Sequence, residues 1–180
     1  MCQWLVKLVA MTFLFETERL QVREMTESDK GFYFAMLTDP DFKRHIGDRG
    51  LTSEKQAFAN MEERVFTSYD AHDFGMWLVM RKSDGEPIGM AGLVKRDFLK
   101  DVDLGYAFLP VGRGAGYATE AAAAVVDYAR SRFGIRRLAA IVSPANQASI
   151  KVLERLGFAR AGQVRFPDDG DICDHFLLDC

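Results

Sequence analysis

Three glycines crowd residues 112–116 in the stretch GRGAGYATEA, immediately before an alanine-rich segment of helical character. Glycine adopts backbone conformations that are closed to other residues, and it lets a ligand approach the main chain closely. The first N–H groups of a helix have no partner within it, and the helix dipole attracts anions to that end. The loop is therefore a candidate phosphate site, with a tight turn that binds no ligand as the alternative.

The spacing of these glycines distinguishes three kinds of phosphate loop. The dinucleotide fingerprint G-x-G-x-x-G fails in both registers, because Tyr117 or Thr119 stands where the last glycine is required. The NTPase loop fails because no Gly-Lys-Ser/Thr occurs here. The remaining pattern, R-x-x-G-x-A, fits at Arg113, Gly116 and Ala118.

Regular elements flank the loop and would hold it in place. The segment VDLGYAFL reads as a strand that leads into the glycines, and residues 117–133 read as a helix that Gly134 ends. A further strand, RRLAAIV, and a short helix at about 146–156 follow. This alternation predicts a strand–loop–helix–strand–helix unit around the candidate site.

The rest of the chain completes a mixed sheet. ERLQVREM predicts a first strand, helices follow Thr26 and Ser53, and KSDGE predicts a hairpin turn between two apolar strands. FARAGQVRF and DICDHFLLD predict two closing strands. With no internal repeat or linker, the order of elements indicates one mixed α/β or α+β domain.

Composition and charge narrow the functional class. The chain has 180 residues, 48% hydrophobic and 27% charged, as in an ordinary globular domain. A net charge of −3 argues against a general nucleic-acid binder. Cys2, Cys173, Cys180 and the three histidines are spaced like neither a metal site nor a disulfide framework. We therefore expect no metal and no nucleic-acid partner.

The N-terminal run WLVKLVAMTFLF is apolar, but Lys7 interrupts it and it is too short to span a bilayer. It also lacks the flanks of a secretory signal, so we expect a cytoplasmic protein without a membrane partner. We expect residues 1–10 to form an N-terminal extension, either a disordered tail or an added strand, and residues 11–180 to form the single domain.

Two segments together resemble a known family. LGYAFLPVGRGAGYATEA resembles the acetyl-CoA-binding segment of the GNAT superfamily of N-acetyltransferases, and its GYATEA variant is similar to the RimJ/RimL-like branch. NQASIKVLERLGF resembles the family's N-x-x-S…L-G-F element. ETERLQVREMTESD and DPDFKRHIG also resemble that branch. The resemblance implies the GNAT fold: a central twisted, mostly antiparallel sheet, splayed between its fourth and fifth strands, with flanking helices.

The same resemblance implies how acetyl-CoA, the acyl donor, is bound. Backbone N–H groups of residues 114–119 would hold the pyrophosphate, the backbone of residues 106–108 would pair with pantetheine, and an N–H at a bulge there would polarise the thioester carbonyl. The implied donor-binding residues are Tyr106, Ala107, Phe108, Arg113, Gly114, Ala115, Gly116, Tyr117, Ala118, Thr119, Asn146 and Ser149. Asn146 could be a helix cap as well. Arg113 could instead be solvated, and Glu120 is expected to be structural because a carboxylate would repel phosphate.

Catalytic groups are harder to place. Ser149 would lie near the sulfur as a candidate acid, although it could be only a small packing residue. Many family members carry a tyrosine acid where Leu153 stands here. Asp103 is the candidate general base, although alternation puts it opposite Tyr106 and Phe108 and a solvent-facing strand position is the alternative.

The resemblance implies direct attack of an amine on acetyl-CoA in a ternary complex, by a monomer or a homodimer. Phe42, His45 and Trp77 could line the acceptor pocket. The acceptor stays open between a protein N-terminus, an amino acid, a polyamine and an antibiotic amine. The rival functions are a non-catalytic acyl-CoA-binding module and a nucleotide-dependent oxidoreductase, which the glycine spacing disfavours.

Overall fold

Two neighbouring segments in the middle of the chain, Met76–Arg81 and Pro87–Val94, are apolar on both faces, as strands at the centre of a sheet must be. The computed structural model describes residues 12–167 and 170–180, and it places both segments inside one eight-stranded sheet. The predicted N-terminal extension, residues 1–10, lies outside the described residues.

The eight strands of this sheet come from segments spread between Phe15 and Asp179. They are β1 (Phe15–Glu16), β2 (Leu20–Arg23), β3 (Met76–Arg81), β4 (Pro87–Val94), β5 (Val102–Phe108), β6 (Arg137–Val142), β7 (Ala159–Arg165) and β8 (Ile172–Asp179). Their spatial order is β1-β2-β3-β4-β5-β6-β8-β7, and only the β5–β6 pair is parallel within the described chain. The predicted mixed α/β class with a mostly antiparallel sheet is confirmed.

The sheet opens between β5 and β6. Only Val102 with Leu138 and Asp103 with Ala139 are paired, although both strands continue beyond those positions. These are the predicted fourth and fifth strands, because the two-residue β1 was not predicted. The predicted bulge is wrong: β5 stays in register with β4 from Asp103 to Phe108. The opening arises because the parallel pairing between β5 and β6 ends at Asp103 and Ala139, while both strands continue.

Helices cover both faces of the sheet and create two apolar clusters. One face carries α1 (Lys30–Thr38), α2 (Pro40–His45), α3 (Glu54–Met61) and α4 (Thr67–His72), and the other carries α5 (Tyr117–Phe133) and α6 (Gln147–Arg155). Helix α5 has its predicted bounds, and Gly134 ends it with a left-handed φ of +65°. Burial of β3 and β4 from both sides accounts for their continuous apolar sequence.

The region before β3 contains more helices than predicted. Pro40 follows the end of α1 and begins α2, where a missing N–H costs no intrahelical bond. Asp39 caps α2 by accepting hydrogen bonds from the N–H groups of Asp41 (3.0 Å) and Phe42 (3.1 Å). A π-helical turn, Glu62–Phe66, separates α3 from α4. The sequence-based interpretation merged these pieces into two helices.

Candidate active site

The glycine-rich loop owes its shape to the backbone conformations of its glycines. Gly114 and Gly116 have φ values of +77° and +82°, which other residues rarely adopt. Gly112 is constrained differently, because a Cβ atom there would lie 2.9 Å from the carbonyl oxygen of Ile88. Each glycine therefore has a structural reason that does not depend on a ligand.

The N–H groups that follow these glycines are left without protein partners. The first intrahelical bond of α5 runs from the Glu120 N–H to the Gly116 carbonyl, at 3.1 Å. Residues 114–119 therefore present N–H groups for which the described part of the chain offers no acceptor. A run of N–H donors at the positive end of a 17-residue helix is suited to a phosphate.

A polar network that we did not predict fixes the start of α5. The Glu120 carboxylate accepts hydrogen bonds from the Thr17 hydroxyl (2.5 Å), the Arg19 N–H (2.9 Å) and Arg19 Nε (2.7 Å). Arg19 also donates to the Ala115 carbonyl (2.9 Å) and lies over the Tyr117 ring. Burial alone would raise the pKa of Glu120, but the hydrogen bonds from Thr17 and Arg19 outweigh it and hold that pKa below its usual range. Glu120 has the structural role predicted for it.

Arg113 is occupied by protein groups. Its guanidinium donates to the Phe108 carbonyl (2.8 Å), Asp41 Oδ2 (2.8 Å) and Asp39 Oδ1 (2.5 Å). These contacts tie the glycine loop to the end of β5 and to the start of α2. The expected phosphate contact of this side chain would require it to leave two carboxylates.

Beyond Asp103, the edge of β5 that faces the opening carries main-chain groups that β6 does not pair with, although the Phe108 carbonyl accepts Arg113 Nε. Leu109 donates its N–H to the Ile88 carbonyl on the β4 side, at 3.0 Å. Because main-chain groups alternate along a strand, those of Phe108 and Tyr106 point the other way, towards β6. An extended ligand arm could pair with this edge as an added strand. Ala107 turns its main chain towards β4, so it would contact such a ligand through its side chain.

A cavity of about 420 Å³ runs from this edge to the glycine loop. Every donor-binding residue predicted from the sequence lines it except Ala115, whose carbonyl is taken by Arg19. Arg155 of α6 also lines it and was not predicted. The structure thus brings together around one space the residues that two separate motifs supplied. We refer to this space below as the donor cavity.

Three polar side chains meet where α6 begins. Asn146 caps the helix, since its Oδ1 accepts the Ser149 N–H at 3.1 Å. The Tyr106 hydroxyl lies 2.8 Å from Ser149 Oγ and also donates to the Ser149 carbonyl at 3.1 Å. Burial raises the pKa of Tyr106 to about 12, so the phenol keeps its proton. Only the backbone of Tyr106 was predicted to act, and no local pattern could have revealed that its side chain reaches α6.

Asp103 lies at the apex of the opening and is buried, so the expectation of a solvent-facing position is wrong. Only 1% of the residue is exposed. Its Oδ1 accepts the Ile141 N–H (3.2 Å), and its Oδ2 accepts Arg96 Nε (2.6 Å). Burial raises the pKa of Asp103, while Arg96 opposes that shift. The carboxylate thus joins β5 to β6 immediately after their parallel pairing ends.

A second cavity, of about 700 Å³, lies under α1–α4 and reaches the same opening. Phe42 and His45 line it, as predicted for the acceptor side, and so does Asp103. Trp77 does not, because it is 1% exposed and packs edge-on against Phe15 and Tyr128 in the core. The prediction for Trp77 is therefore wrong. We refer to this space as the acceptor cavity.

Residues 12–167 and 170–180 contain neither a candidate metal site nor a candidate membrane span. No group of three or more His, Cys, Asp or Glu side chains could hold a metal ion there. No helix in the same ranges is both long and apolar enough to cross a bilayer.

Comparison with known proteins places this architecture in a family. Residues 19–159 match the acetyltransferase (GNAT) domain. The chain is similar to two proteins from Bacillus subtilis (strain 168). It is 30% identical to the uncharacterized protein YkkB, over 83% of this chain and 87% of YkkB. It is 29% identical to the uncharacterized N-acetyltransferase YoaA, over 84% of this chain and 86% of YoaA.

Solved structures share the fold. An acetyltransferase from Agrobacterium tumefaciens str. C58 has a TM-score of 0.78 at 23% identity, over 92% of this chain and 94% of its own. RimL, a ribosomal L7/L12 alpha-N-protein acetyltransferase in complex with coenzyme A, has a TM-score of 0.79 at 18% identity, over 93% and 98%. Such neighbours are consistent with the RimJ/RimL-like branch. The chain belongs to the GNAT family of N-acetyltransferases.

Proposed function

We propose that the protein transfers the acetyl group of acetyl-CoA to a primary amine by direct attack in a ternary complex. The observation that carries this proposal is the junction of the two cavities at the β5–β6 opening. One cavity ends in a loop suited to phosphates, and the other opens under α1–α4. A thioester and an amine bound in these cavities would meet with little freedom to separate, which favours reaction.

Each part of the donor cavity has a counterpart in the chemistry of coenzyme A. The unpaired N–H groups of residues 114–119 suit the pyrophosphate, and Arg155 adds positive charge beside it. The main chain of Tyr106 and the N–H of Phe108 face the opening and suit the amide-containing pantetheine arm, whereas the Phe108 carbonyl already accepts Arg113 Nε. A main-chain N–H on that edge would polarise the thioester carbonyl. RimL, the structural neighbour that contains coenzyme A, supports this assignment.

The leaving thiolate needs a proton, and Ser149 is the proposed donor. Leu153, where many family members carry a tyrosine, is 1% exposed and has no hydroxyl. Tyr106 compensates from the neighbouring strand: by donating to the Ser149 carbonyl it fixes that residue, with its own oxygen 2.8 Å from Ser149 Oγ. Ser149 is thus held as a hydroxyl donor beside the site where sulfur would lie. Asp103 stays a candidate general base on its position in the acceptor cavity.

Direct attack, rather than an acyl-enzyme route, is supported by the residues around the site. A covalent route needs an activated nucleophile, usually a thiolate or an alkoxide with an adjacent base. No cysteine lines either cavity in the described part of the chain, and the hydroxyl of Ser149 is paired with the Tyr106 hydroxyl rather than with a base.

The test is a panel assay with purified protein and acetyl-CoA. The amines are peptides beginning with alanine, serine or methionine, free amino acids, spermidine and an aminoglycoside. Thiol release measures turnover, and mass spectrometry identifies the acetylated amine. We expect coenzyme A to bind and at least one amine to be acetylated. Binding without turnover across the panel would favour the non-catalytic module, and absence of coenzyme A binding would refute the proposal.

A further inference from the structure

The donor and acceptor cavities have a small set of lining residues in common, and these mark where an amine can meet a thioester. They come from α2 and the residue after it, from β5 and from the start of α6. The shared residues are Phe42, His45, Ile46, Tyr106, Ala107, Asn146 and Ser149. Asp103 is not among them, because it lines the acceptor cavity alone.

One of these side chains is of a type that commonly serves as a general base. The side chains of Phe42, Ile46 and Ala107 are hydrocarbon, and the Asn146 amide is not basic. The hydroxyls of Tyr106 and Ser149 are paired with each other and serve as donors. Histidine, in contrast, is the residue that acts most often as a general base in enzymes. Resting on the acetyl transfer proposed above, we infer that His45 is the general base that deprotonates the acceptor amine.

The environment of His45 fits this role. Its Nδ1 is buried and has no hydrogen-bond partner among the described residues. An unpaired buried nitrogen is unfavourable, so the ring would gain by turning this nitrogen towards a polar group of a bound substrate. Both oxygens of Asp103, by comparison, already accept hydrogen bonds, from Ile141 and Arg96.

The helix that bears His45 is anchored to the donor loop. Arg113, which lies between Gly112 and Gly114 in the loop, makes ion pairs with Asp39 and Asp41 at the start of α2. His45 lies at the other end of this six-residue helix. The position of the imidazole is therefore set relative to the donor cavity, as a base acting on the attacking nitrogen requires.

The protons and bonds balance as follows. His45 takes one proton from the ammonium group, and the neutral nitrogen attacks the thioester carbonyl, so that an N–C bond forms. The C–S bond then breaks, and the sulfur leaves with its electron pair. The nitrogen loses a second proton, which restores the hydroxyl of Ser149 after that residue has protonated the sulfur. The imidazolium returns its proton to water, and the products are the amide, the free thiol of coenzyme A and one proton.

The test compares three variants with the unmodified protein, using the panel amine that the latter acetylates fastest. His45→Gln removes the base, and His45→Ala opens space for added imidazole. Arg44→Gln is the matched control on the same helix, because that side chain is 70% exposed and lines neither cavity. Calorimetry with coenzyme A reports whether each variant keeps its donor site.

We expect His45→Gln to lower kcat by about a hundredfold or more with coenzyme A affinity unchanged, and Arg44→Gln to keep both. Free imidazole should restore part of the activity of His45→Ala. Retention of kcat within about threefold in His45→Gln, a change confined to KM for the amine, or failure of imidazole rescue would each overturn the inference while acetyl transfer stands. Absence of turnover by the unmodified protein would refute the proposed function and this inference with it.

Discussion

Replacing Gly116 by alanine separates the conformational role of the loop from its role in binding. Gly116 has a φ of +82°, and the nearest atom to an added Cβ would be Arg19 Nη2 at 3.5 Å, an ordinary contact. The cost is therefore conformational, roughly 1–2 kcal/mol for an L-residue in the left-handed region. In a domain of this size 1 kcal/mol corresponds to about 2–4 °C, so we expect Tm to fall by about 2–8 °C.

The same substitution should weaken coenzyme A binding. The loop can relieve the strain only by rotating the peptide units on either side of residue 116, and these carry two of the N–H groups proposed to hold phosphate. Loss of one hydrogen bond to a charged group is worth about 1.5–3 kcal/mol. We therefore expect Kd for coenzyme A to rise by roughly ten- to a hundredfold. Thermal unfolding and titration calorimetry measure the two effects separately.

Gly134→Ala is the matched control. Gly134 has a φ of +65°, has open space around its Cβ position and ends the same helix. It lies about 27 Å from Gly116, given 1.5 Å per residue. We expect a similar fall in Tm and unchanged affinity. If the two variants bound coenzyme A equally well at equal loss of Tm, the proposed phosphate site would be wrong.

Three further outcomes follow from the hydrogen bonds and pKa shifts. Ser149→Ala should lower kcat at least tenfold and Tyr106→Phe should lower it less, with coenzyme A affinity retained in both. Equal kcat in the two variants and the unmodified protein would contradict Ser149 as the proton donor. Asp103→Asn keeps an acceptor for the Ile141 N–H but removes the charge opposite Arg96, so we expect kcat to fall less than tenfold; a hundredfold loss with affinity intact would instead identify Asp103 as the base. Burial alone would raise the pKa of Asp29, but Arg23 and the Thr26 N–H hold it below its usual range. This contribution is present above the unfolded-state pKa of about 4 and disappears as pH falls through the folded-state value. Urea titrations should therefore show the unfolding free energy of the native chain falling in acid, and Asp29→Asn should flatten that dependence.

The parts of the fold that were predicted correctly depend on local chemistry. Helix α5 was bounded correctly because glycines with left-handed backbone conformations stand at both of its ends. The residues that line the donor cavity come from two motifs whose side chains and N–H groups lie close to their own positions in the chain, and the binding of coenzyme A there stays a prediction. The capping role of Asn146 is local in the same sense.

The errors concern contacts between residues far apart in the chain. Asp103 is buried because a main-chain N–H of β6 and a side chain of the preceding loop satisfy it, and alternation along β5 carries no information about either. The type of Trp77 suggests a pocket residue, whereas Phe15 of β1 and Tyr128 of α5 enclose it in the core.

Arg113 shows how the two sides of the site depend on each other. Its place in the R-x-x-G-x-A pattern predicted a phosphate contact, yet its guanidinium joins the Phe108 carbonyl on β5 to the two carboxylates that start α2. The same α2 supplies Phe42 and His45 to both cavities. The chain segment that would hold the donor phosphates is thereby bonded to the segment that would meet the acceptor. The proposed reaction depends on the relative placement of two substrates. A side chain that bonds their two binding segments to each other therefore contributes to catalysis without touching either substrate.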